Sequence, residues 1–532
     1  MADSRARKRI IIVAGAALTV AITVLGVLQL LPADDPADKA AAAPQVRYSA
    51  TEVANHFLDA FGSRDAAAAG VLTDNPAAAT AQLDDVFRGL RPETVVADRT
   101  KLTEPAAGAR TAAEPFTLTW DFGAGRAWEY PSTLQVVAKD ASWVVHWRPG
   151  LVHPKLTAGH SLVLGDLSGK HAVRDRGGAP VLTWAADGPK AAAPKLAPVL
   201  LDRMAQVASG QADAAAWYVA IADSAGKESA PLYGTAPRPL TTTLSRPLQQ
   251  AAQRAVDSTP TGAMIVAIQP STGDLLAVAQ NAAAGANPAA LSDLYPPGST
   301  FKIATATAIL AAGRTGIDTV VPCPGVATVG QRTIHNANFA LGDVPLRTAF
   351  AQSCNTTFAM QAAGLGKDAL PAAASRLGLA ADFEIPGVAT ETGNVPSAAG
   401  TTEQVENSIG QGRVAVSCFG MALVAATVAS GRAVTPRLWR ELKTTVRSGY
   451  EAPPSSTITA LRTMMRDVVT SGRGTALSRY GDVHGKTGTA QVGDGTQAHA
   501  WFAGYRGDLA FATLVLDSSA AVSVTGKFLG AV

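Results

Sequence analysis

The sequence predicts a multidomain α+β protein whose largest domain is an antiparallel sheet flanked by helices. The chain of 532 residues is too long for one typical core, and its length favours about three domains. Hydrophobic residues make up 47% of the chain and charged residues 16%, which is the balance of a folded protein. Blocks with helical periodicity are followed by blocks of alternating apolar residues, and this grouping is typical of α+β domains.

The first residues predict a membrane anchor. A basic cluster at residues 5–9 is followed by an uncharged apolar run over residues 10–31. This run meets the requirement of about 20 apolar residues for a helix that spans a bilayer, and the basic residues before it favour a cytoplasmic N-terminus. We therefore expect a single-pass protein of the cytoplasmic membrane with the rest of the chain outside. The alternative is a cleaved signal peptide, for which the apolar run is long.

The charge distribution argues against one class of partner. The formal net charge of +3 lies almost entirely within the first nine residues, which leaves the remainder near zero. A nucleic-acid-binding protein needs a basic patch spread over a folded face, so we expect no nucleic-acid partner. No metal-ligand spacing such as His-Glu-x-x-His occurs in the sequence, and we expect neither a metal site nor a cofactor.

After a spacer rich in Ala, Asp and Pro, the pattern predicts a small α+β domain. Ser49 and Glu52 have the spacing of a capping box, so a helix should begin near Ser49. A second helical stretch should end before Pro92. Alternating apolar residues then predict antiparallel strands between residues 116 and 147. A connecting module with short β-like pieces follows.

The last domain should start with a helix near Ser245. A strand hairpin comes next, and residues 270–273 supply its turn. The remainder alternates long Ala-rich helical stretches with a few strands. An antiparallel sheet flanked by helices is the architecture that this order predicts.

Three cysteines, Cys323, Cys354 and Cys418, are too few for a disulfide scaffold and wrongly spaced for a zinc site. A location outside the membrane permits one bridge and leaves one thiol over. The sequence does not say which pair forms, if any. The alternative is that all three are small buried hydrophobic residues.

Three short patterns in the last domain predict its chemistry. Residues 296–298 break the chain, and Ser299 then opens an apolar helix that should end near Gly313. Three residues apart on a helix, Ser299 and Lys302 share a face, so the amine can reach the hydroxyl. The patterns are Ser299-Thr300-Phe301-Lys302, Ser353-Cys354-Asn355 and Lys486-Thr487-Gly488-Thr489.

The first pattern pairs a nucleophile with a base. The amine of Lys302 must be neutral to accept a proton, and burial in an apolar helix favours the uncharged form. A nearby cation such as Lys486 acts in the same direction. The N-terminus of the helix also favours a developing alkoxide at Ser299. We therefore predict Ser299 as the nucleophile and Lys302 as the general base.

The order and wide separation of the three patterns resemble the acyl-serine transferases that recognise penicillin. The segments YPPGSTFKI, NSIGQG and GKTGTAQ look like those of class B penicillin-binding proteins, which carry a transpeptidase but no glycosyltransferase. The segment RDRGGAPV resembles their pedestal, with Gly177 in place of the usual Asn. Residues from about 48 to 154 are similar to the nuclear-transport-factor-like (NTF2-like) domain of low-affinity members.

This resemblance implies roles for the remaining site residues. Ser353 would relay a proton to the leaving amine, and Asn355 would hold the peptide backbone of the substrate. Lys486 would lie on the edge strand, where it would interact with Ser353 and the substrate carboxylate. All three residues would then be catalytic, together with Ser299 and Lys302.

The resemblance also implies a substrate-binding strand. The hydroxyls of Thr487 and Thr489 would bind the substrate carboxylate, and the backbone N–H groups of Ser299 and Thr489 would form the oxyanion hole. A glycine at position 488 is also expected without the resemblance. A strand needs a position without a side chain where a substrate backbone lies closely against it. The GQG stretch at Gly410 imitates a dinucleotide fingerprint, but we interpret it as a tight loop near the active site.

The chain accordingly divides into six segments, the first three from charge and composition and the last three as the resemblance implies. They are a cytoplasmic basic tail (1–9), a transmembrane anchor (10–31), a linker (32–46), an NTF2-like α+β domain (47–156), a pedestal or dimerisation module (157–243) and a transpeptidase domain (244–532).

The function implied by the resemblance is that of a peptidoglycan D,D-transpeptidase, which forms an acyl-enzyme at Ser299 and is inhibited by β-lactams. Its expected partners are peptidoglycan stem peptides, β-lactams, the membrane and a separate glycosyltransferase. Two alternatives stay open: a hydrolase of the same fold, either a D,D-carboxypeptidase or a β-lactamase, and a non-catalytic penicillin sensor. The likeness to low-affinity members adds a hypothesis of reduced drug sensitivity.

Overall fold

The computed structural model describes residues 47–99, 103–212, 217–235, 238–492 and 497–532. The predicted tail, anchor and linker, residues 1–46, lie outside these described residues. Within the described ranges, no helix combines the length and the apolar character that crossing a membrane requires. The chain forms two compact units, and the first comprises the described residues up to 83 together with 94–119 and 129–154.

The N-terminal part of the described chain is built around three helices and a sheet. The helix predicted near Ser49 begins at the next residue, and its capping box is present: Ser49 Oγ accepts from the N–H of Glu52, whose carboxylate accepts from the N–H of Ser49. The sheet has the strand order β1-β2-β3-β4. The elements are α1 (Ala50–Gly62), α2 (Ala66–Val71), α3 (Pro76–Leu90), β1 (Thr94–Arg99), β2 (Thr111–Asp121), β3 (Ala127–Lys139) and β4 (Ser142–Val145).

The region predicted as a connecting module contains two small sheets, with strand orders β10-β9-β5 and β11-β6-β7-β8. Its turn before β7 is closed by Asp175, whose carboxylate accepts from the N–H groups of Gly177 and Ala179. The same buried carboxylate pairs with Arg246 at 2.6 Å. The elements are β5 (His160–Gly165), β6 (His171–Arg174), β7 (Pro180–Ala185), β8 (Gly188–Ala191), α4 (Leu201–Gln211), β9 (Tyr218–Asp223), β10 (Tyr233–Gly234) and β11 (Leu240–Thr241).

The last domain contains a five-stranded antiparallel sheet in the order β13-β12-β24-β23-β22. The helix predicted near Ser245 and the predicted hairpin β12–β13 are both present. The strands are β12 (Ala263–Ile268), β13 (Leu275–Gln280), β14 (Val320–Cys323), β15 (Val326–Val329), β16 (Arg332–His335), β17 (Gly342–Pro345), β18 (Asp382–Glu384), β19 (Gly393–Asn394), β20 (Ala415–Val416), β21 (Thr445–Ser448), β22 (Val483–Val492), β23 (Gln497–Arg506) and β24 (Leu509–Val515).

Helices cover both faces of this sheet. Alternate residues of β12 enter two different cores: Met264 and Val266 pack with α12, whereas Ile265 and Ala267 pack with α5 and α14. This agrees with the predicted antiparallel sheet flanked by helices. The helices are α5 (Arg246–Val256), α6 (Ala289–Ser292), α7 (Lys302–Ala311), α8 (Leu346–Ala351), α9 (Asn355–Ala363), α10 (Ala369–Ser375), α11 (Thr401–Ser408), α12 (Cys418–Ser430), α13 (Ser455–Thr470) and α14 (Ala521–Leu529).

Candidate active site

The predicted nucleophile lies just outside the helix that was expected to begin with it. Gly298–Phe301 form a 3₁₀ turn, and the α-helix α7 starts only at Lys302. The expectation of an α-helix from Ser299 is therefore wrong in its start, although Gly313 follows the helix end with a left-handed φ of 70°. Side chains three residues apart eclipse one another in a 3₁₀ turn. Lys302 Nζ accordingly lies 3.0 Å from Ser299 Oγ.

The amine of Lys302 is completely buried and is surrounded by acceptors. In addition to its contact with Ser299 Oγ, this amine donates to the backbone carbonyl of Ser353 at 2.9 Å and to Asn355 Oδ1 at 2.6 Å. Asn355 Nδ2 donates to the carbonyl of His335 at 3.0 Å, which fixes the amide with its oxygen toward the lysine. Burial lowers the pKa of Lys302 well below its ordinary value, and the charge of Lys486 lowers it further.

These contacts match the needs of a neutral amine. A neutral amine has two N–H donors and one lone pair, and the Ser353 carbonyl and Asn355 Oδ1 can only accept. In the neutral amine these two acceptors can take both donors, and the lone pair can then accept the hydroxyl hydrogen of Ser299. This arrangement lets Lys302 accept the proton of Ser299.

Ser353 lies between the two lysines. Its hydroxyl accepts from Lys486 Nζ at 2.9 Å and lies 3.3 Å from Lys302 Nζ. Its backbone has a φ of 63°, which is uncommon for a residue other than glycine. The second pattern is thus brought to the first by a turn that the sequence pattern did not predict.

Lys486 lies on β22, which is an edge of the five-stranded sheet. Its buried amine also donates to the Thr487 carbonyl at 2.9 Å. Burial, followed by the charge of Arg473, lowers the pKa of Lys486 from 10.5 to about 7. Thr489 on the same strand is exposed and Thr487 is half-buried, so both side chains can be reached from outside.

The structure gives a different reason for a glycine at position 488 from the one that the sequence indicated. A Cβ on Gly488 would lie 2.9 Å from the Pro297 carbonyl and 3.0 Å from the Thr300 nitrogen. The space next to this residue is therefore filled by the turn that carries Ser299 rather than left open for a substrate. The glycine lets the edge strand lie directly against the nucleophile turn.

The loop predicted at Gly410 lies against the turn that carries Ser299 and supports it. The N–H of Gly298 donates to the Gly410 carbonyl at 2.9 Å. Gly410 has a φ of 77°, and a Cβ there would lie 1.9 Å from the Gly298 carbonyl oxygen.

We expect Gly410→Ala to lower the free energy of unfolding by about 2 kcal/mol or more, because the left-handed backbone alone costs about 1–2 kcal/mol for alanine. Thermal melting with fluorescence or circular dichroism would measure this. The matched control is Gly366→Ala, since a Cβ at exposed Gly366 meets nothing within 4 Å. Equal melting temperatures for the two variants would contradict the prediction.

Two contacts at the site were not assigned from the sequence. Cys323 and Cys354 form a disulfide, so the bridge includes the middle residue of the second pattern. Cys418 is a buried free thiol whose pKa is raised by burial to about 12. The side chain of Asn336 accepts hydrogen bonds from the start of α9, and no spacing rule would have indicated this contact.

Among the described residues, no group of three or more His, Cys, Asp or Glu side chains could hold a metal ion.

Sequence comparisons match two parts of the chain to known families. Residues 263–530 match the penicillin binding protein transpeptidase domain, and residues 49–160 match the NTF2-like N-terminal transpeptidase domain. The chain is 31% identical over 351 residues to the peptidoglycan D,D-transpeptidase PbpA of Mycobacterium tuberculosis, covering 54% of this chain and 70% of that relative. It is also 31% identical over 348 residues to PbpA of Mycolicibacterium smegmatis, with the same coverage.

Solved structures share the fold. The crystal structure of PBPA from Mycobacterium tuberculosis superposes with a TM-score of 0.55 at 23% identity and covers 69% of this chain and 98% of that one. The structure of Pseudomonas aeruginosa PBP2 in complex with WCK 5153 gives a TM-score of 0.56 at 21% identity, with coverage of 69% and 96%. With its three patterns assembled at one site, the chain belongs to the penicillin-binding protein transpeptidase family.

Proposed function

We propose that this protein is a serine-type peptidoglycan D,D-transpeptidase that joins stem peptides through an acyl-enzyme at Ser299. The observation that carries the proposal is the 3.0 Å contact between the buried amine of Lys302 and Ser299 Oγ, together with the two acceptors that hold this amine. The family match and the names of the two mycobacterial relatives support the same activity.

In the acylation step, Ser299 Oγ attacks the carbonyl between the two D-alanines while its proton passes to Lys302. The backbone N–H groups of Ser299 and Thr489 would hold the negative oxygen that develops. The hydroxyl of Ser353 would deliver a proton to the departing D-alanine amine and regain one from a lysine. This relay is supported by the contacts of Ser353 with both amines, at 2.9 Å and 3.3 Å.

In the second step, the amine of a neighbouring stem peptide attacks the acyl-enzyme, and Ser299 regains its proton as the new peptide bond forms. The exposed side of β22 would receive the donor peptide as an added strand. Lys486 and the hydroxyls of Thr487 and Thr489 would bind its terminal carboxylate. Asn355 would hold its backbone, and Gly488 would keep β22 close to the nucleophile.

The test uses the protein without residues 1–46, incubated with a fluorescent penicillin and mapped by peptide mass spectrometry. We expect one stable adduct on Ser299 and none in Ser299→Ala. Absence of any adduct on folded wild-type protein would overturn the proposal, and fast release of the adduct would point to a hydrolase.

A second assay separates transfer from hydrolysis. The protein is given a peptide that ends in D-Ala-D-Ala together with a D-amino acid as acceptor. A transpeptidase should form the exchanged peptide in excess over the hydrolysed one. Hydrolysis alone would instead identify a D,D-carboxypeptidase.

The location and further partners are part of the same proposal. Residues 10–31 would anchor the protein in the cytoplasmic membrane with its N-terminus inside, which is supported by the length of the apolar run and the basic residues before it. Three further points rest on the family resemblance: the boundaries of the three domains after residue 46, a separate glycosyltransferase partner and reduced β-lactam sensitivity. A slow acylation rate with penicillin would support the last of these.

A further inference from the structure

Asn336 is a buried polar residue that follows the end of β16, and its exposed fraction is 7%. Its side-chain oxygen accepts from the backbone N–H of Asn355 at 2.8 Å and of Thr356 at 3.2 Å. These are the first two residues of helix α9. Its side-chain nitrogen donates to the Pro324 carbonyl at 2.8 Å and lies 3.2 Å from Thr356 Oγ1.

The residue at the N-cap position of α9 does not supply this cap. The residue at the N-cap position of α9 is Cys354, and its side chain makes no capping hydrogen bond. The sulfur of Cys354 is bonded instead to Cys323. Unpaired N–H groups at the start of a helix need an acceptor, and an amide oxygen is among the best. Asn336 therefore caps α9 from 19 residues upstream.

The capped residue is the one that directs Lys302. The backbone N–H of Asn355 donates to Asn336, and its side-chain nitrogen donates to the carbonyl of His335. His335 is the residue directly before Asn336. The remaining atom of its amide, Oδ1, accepts from Lys302 at 2.6 Å. One short segment, residues 335–336, thus fixes both the position and the orientation of the amide that takes a donor from the general base.

We propose that Asn336 is a positioning residue for acylation, which acts through Asn355 on Lys302. This inference rests on the proposed function, since it concerns the same site. It requires that the cap matters for the rate of acyl transfer beyond any effect on folding. The contact chain from Asn336 through Asn355 and Lys302 to Ser299 consists of hydrogen bonds of 2.8, 2.6 and 3.0 Å.

The test compares Asn336→Leu, which keeps the size and removes the acceptor, with Asn336→Asp, which keeps both. The second-order rate of Ser299 labelling by fluorescent penicillin is measured in the protein without residues 1–46. We expect Asn336→Leu to lower the rate by roughly 10- to 100-fold, since small misplacements of catalytic groups have effects of this size. Asn336→Asp should recover part of the loss, because its carboxylate keeps the acceptor for the N–H groups of α9. The recovery should be incomplete, since Asp lacks the donor that Asn336 gives to the Pro324 carbonyl.

Two further variants separate positioning from stability. Asn338→Gly is the matched control: Asn338 is exposed, and its φ of 58° suits glycine, so the rate should not change. In an Asn355→Ala background, Asn336→Leu should lower the rate much less than it does alone, because the two residues act in series. An equal loss in both backgrounds would show a structural effect only and overturn the inference.

Each remaining outcome also decides the question. If Asn336→Leu does not fold, Asn336→Ala takes its place in the same cycle. A rate equal to wild type in a folded Asn336 variant that lacks the acceptor overturns this inference and leaves the proposed function intact. Absent labelling of wild-type protein overturns both.

Discussion

Lys302→Met is expected to slow acylation of Ser299 by roughly 10²- to 10⁴-fold, the range that general acid–base catalysis supplies. Methionine fills the same buried space, but its thioether is not basic enough to accept the proton of Ser299. The measurement is the second-order rate of labelling by fluorescent penicillin, followed over time by intact mass.

The control for this substitution is Lys367→Met, since Lys367 is exposed and, among the described residues, only its backbone enters a hydrogen bond. That variant should label at the wild-type rate. A Lys302→Met protein that folds and labels within a few-fold of wild type would show that another group is the base.

The wild-type rate should also rise and then fall with pH. Only the neutral amine of Lys302 can accept the proton, and burial lowers the pKa of that amine well below 10.5. The acylation rate should therefore rise with pH as Lys302 loses its proton, and this rise should lie well below pH 10.5. The rate should fall again as Lys486, whose pKa is about 7, loses the charge proposed to bind the substrate carboxylate.

Lys486→Met is expected to change both activity and the pH dependence of stability. If Lys486 binds the substrate carboxylate as proposed, the variant loses a charge-assisted hydrogen bond, which should slow acylation by roughly 10- to 100-fold. It should also be more stable than wild type at pH 7. Methionine avoids placing a cation in a fully buried position.

The sign of the stability effect follows from the shift in pKa. The pKa of Lys486 is about 7 in the folded state and 10.5 when unperturbed, so between these values the unfolded state binds more protons. The unfolding free energy of wild type therefore rises with pH across this window. The advantage of Lys486→Met should shrink by about 1 kcal/mol per pH unit from pH 7 to pH 9.

Urea unfolding at pH 7, 8 and 9 would measure this difference, and Lys367→Met again provides the comparison. Groups that do not feel the charge of Lys486 titrate equally in both proteins and cancel in the difference. Lys302 is the exception, because the charge of Lys486 lowers its pKa in wild type only. A gap between Lys486→Met and wild type that is constant over this range would mean that Lys486 keeps its proton throughout.

What the sequence predicted correctly was mostly local. The capping box at Ser49 joins residues three apart, and so does the contact between Ser299 and Lys302. Spacing along the chain determines such contacts. The exception is the edge position of Lys486, which came from the family resemblance rather than from spacing.

What the sequence could not predict depends on how distant segments meet. Cys354 could have paired with either of the other cysteines, because pairing follows from which Cβ atoms lie close in the fold. The left-handed φ of Ser353 is imposed by the turn between α8 and α9 and leaves no mark on its residue type. Asn336 looks like any other asparagine in a loop until the start of α9 is placed beside it.

The order of strands in the large sheet has a consequence for how the enzyme is made. The strand β24 lies at the centre, where Ala263 of β12 pairs with Val515 and Met264 pairs with Leu514. Contacts this distant along the chain form slowly, and a chain emerging from its N-terminus must wait for them. Until the last strands arrive, Ser299 and Lys302 have no edge strand to bring Lys486 to them. All three sequence patterns of the site can therefore meet only after the C-terminal strands have joined the sheet.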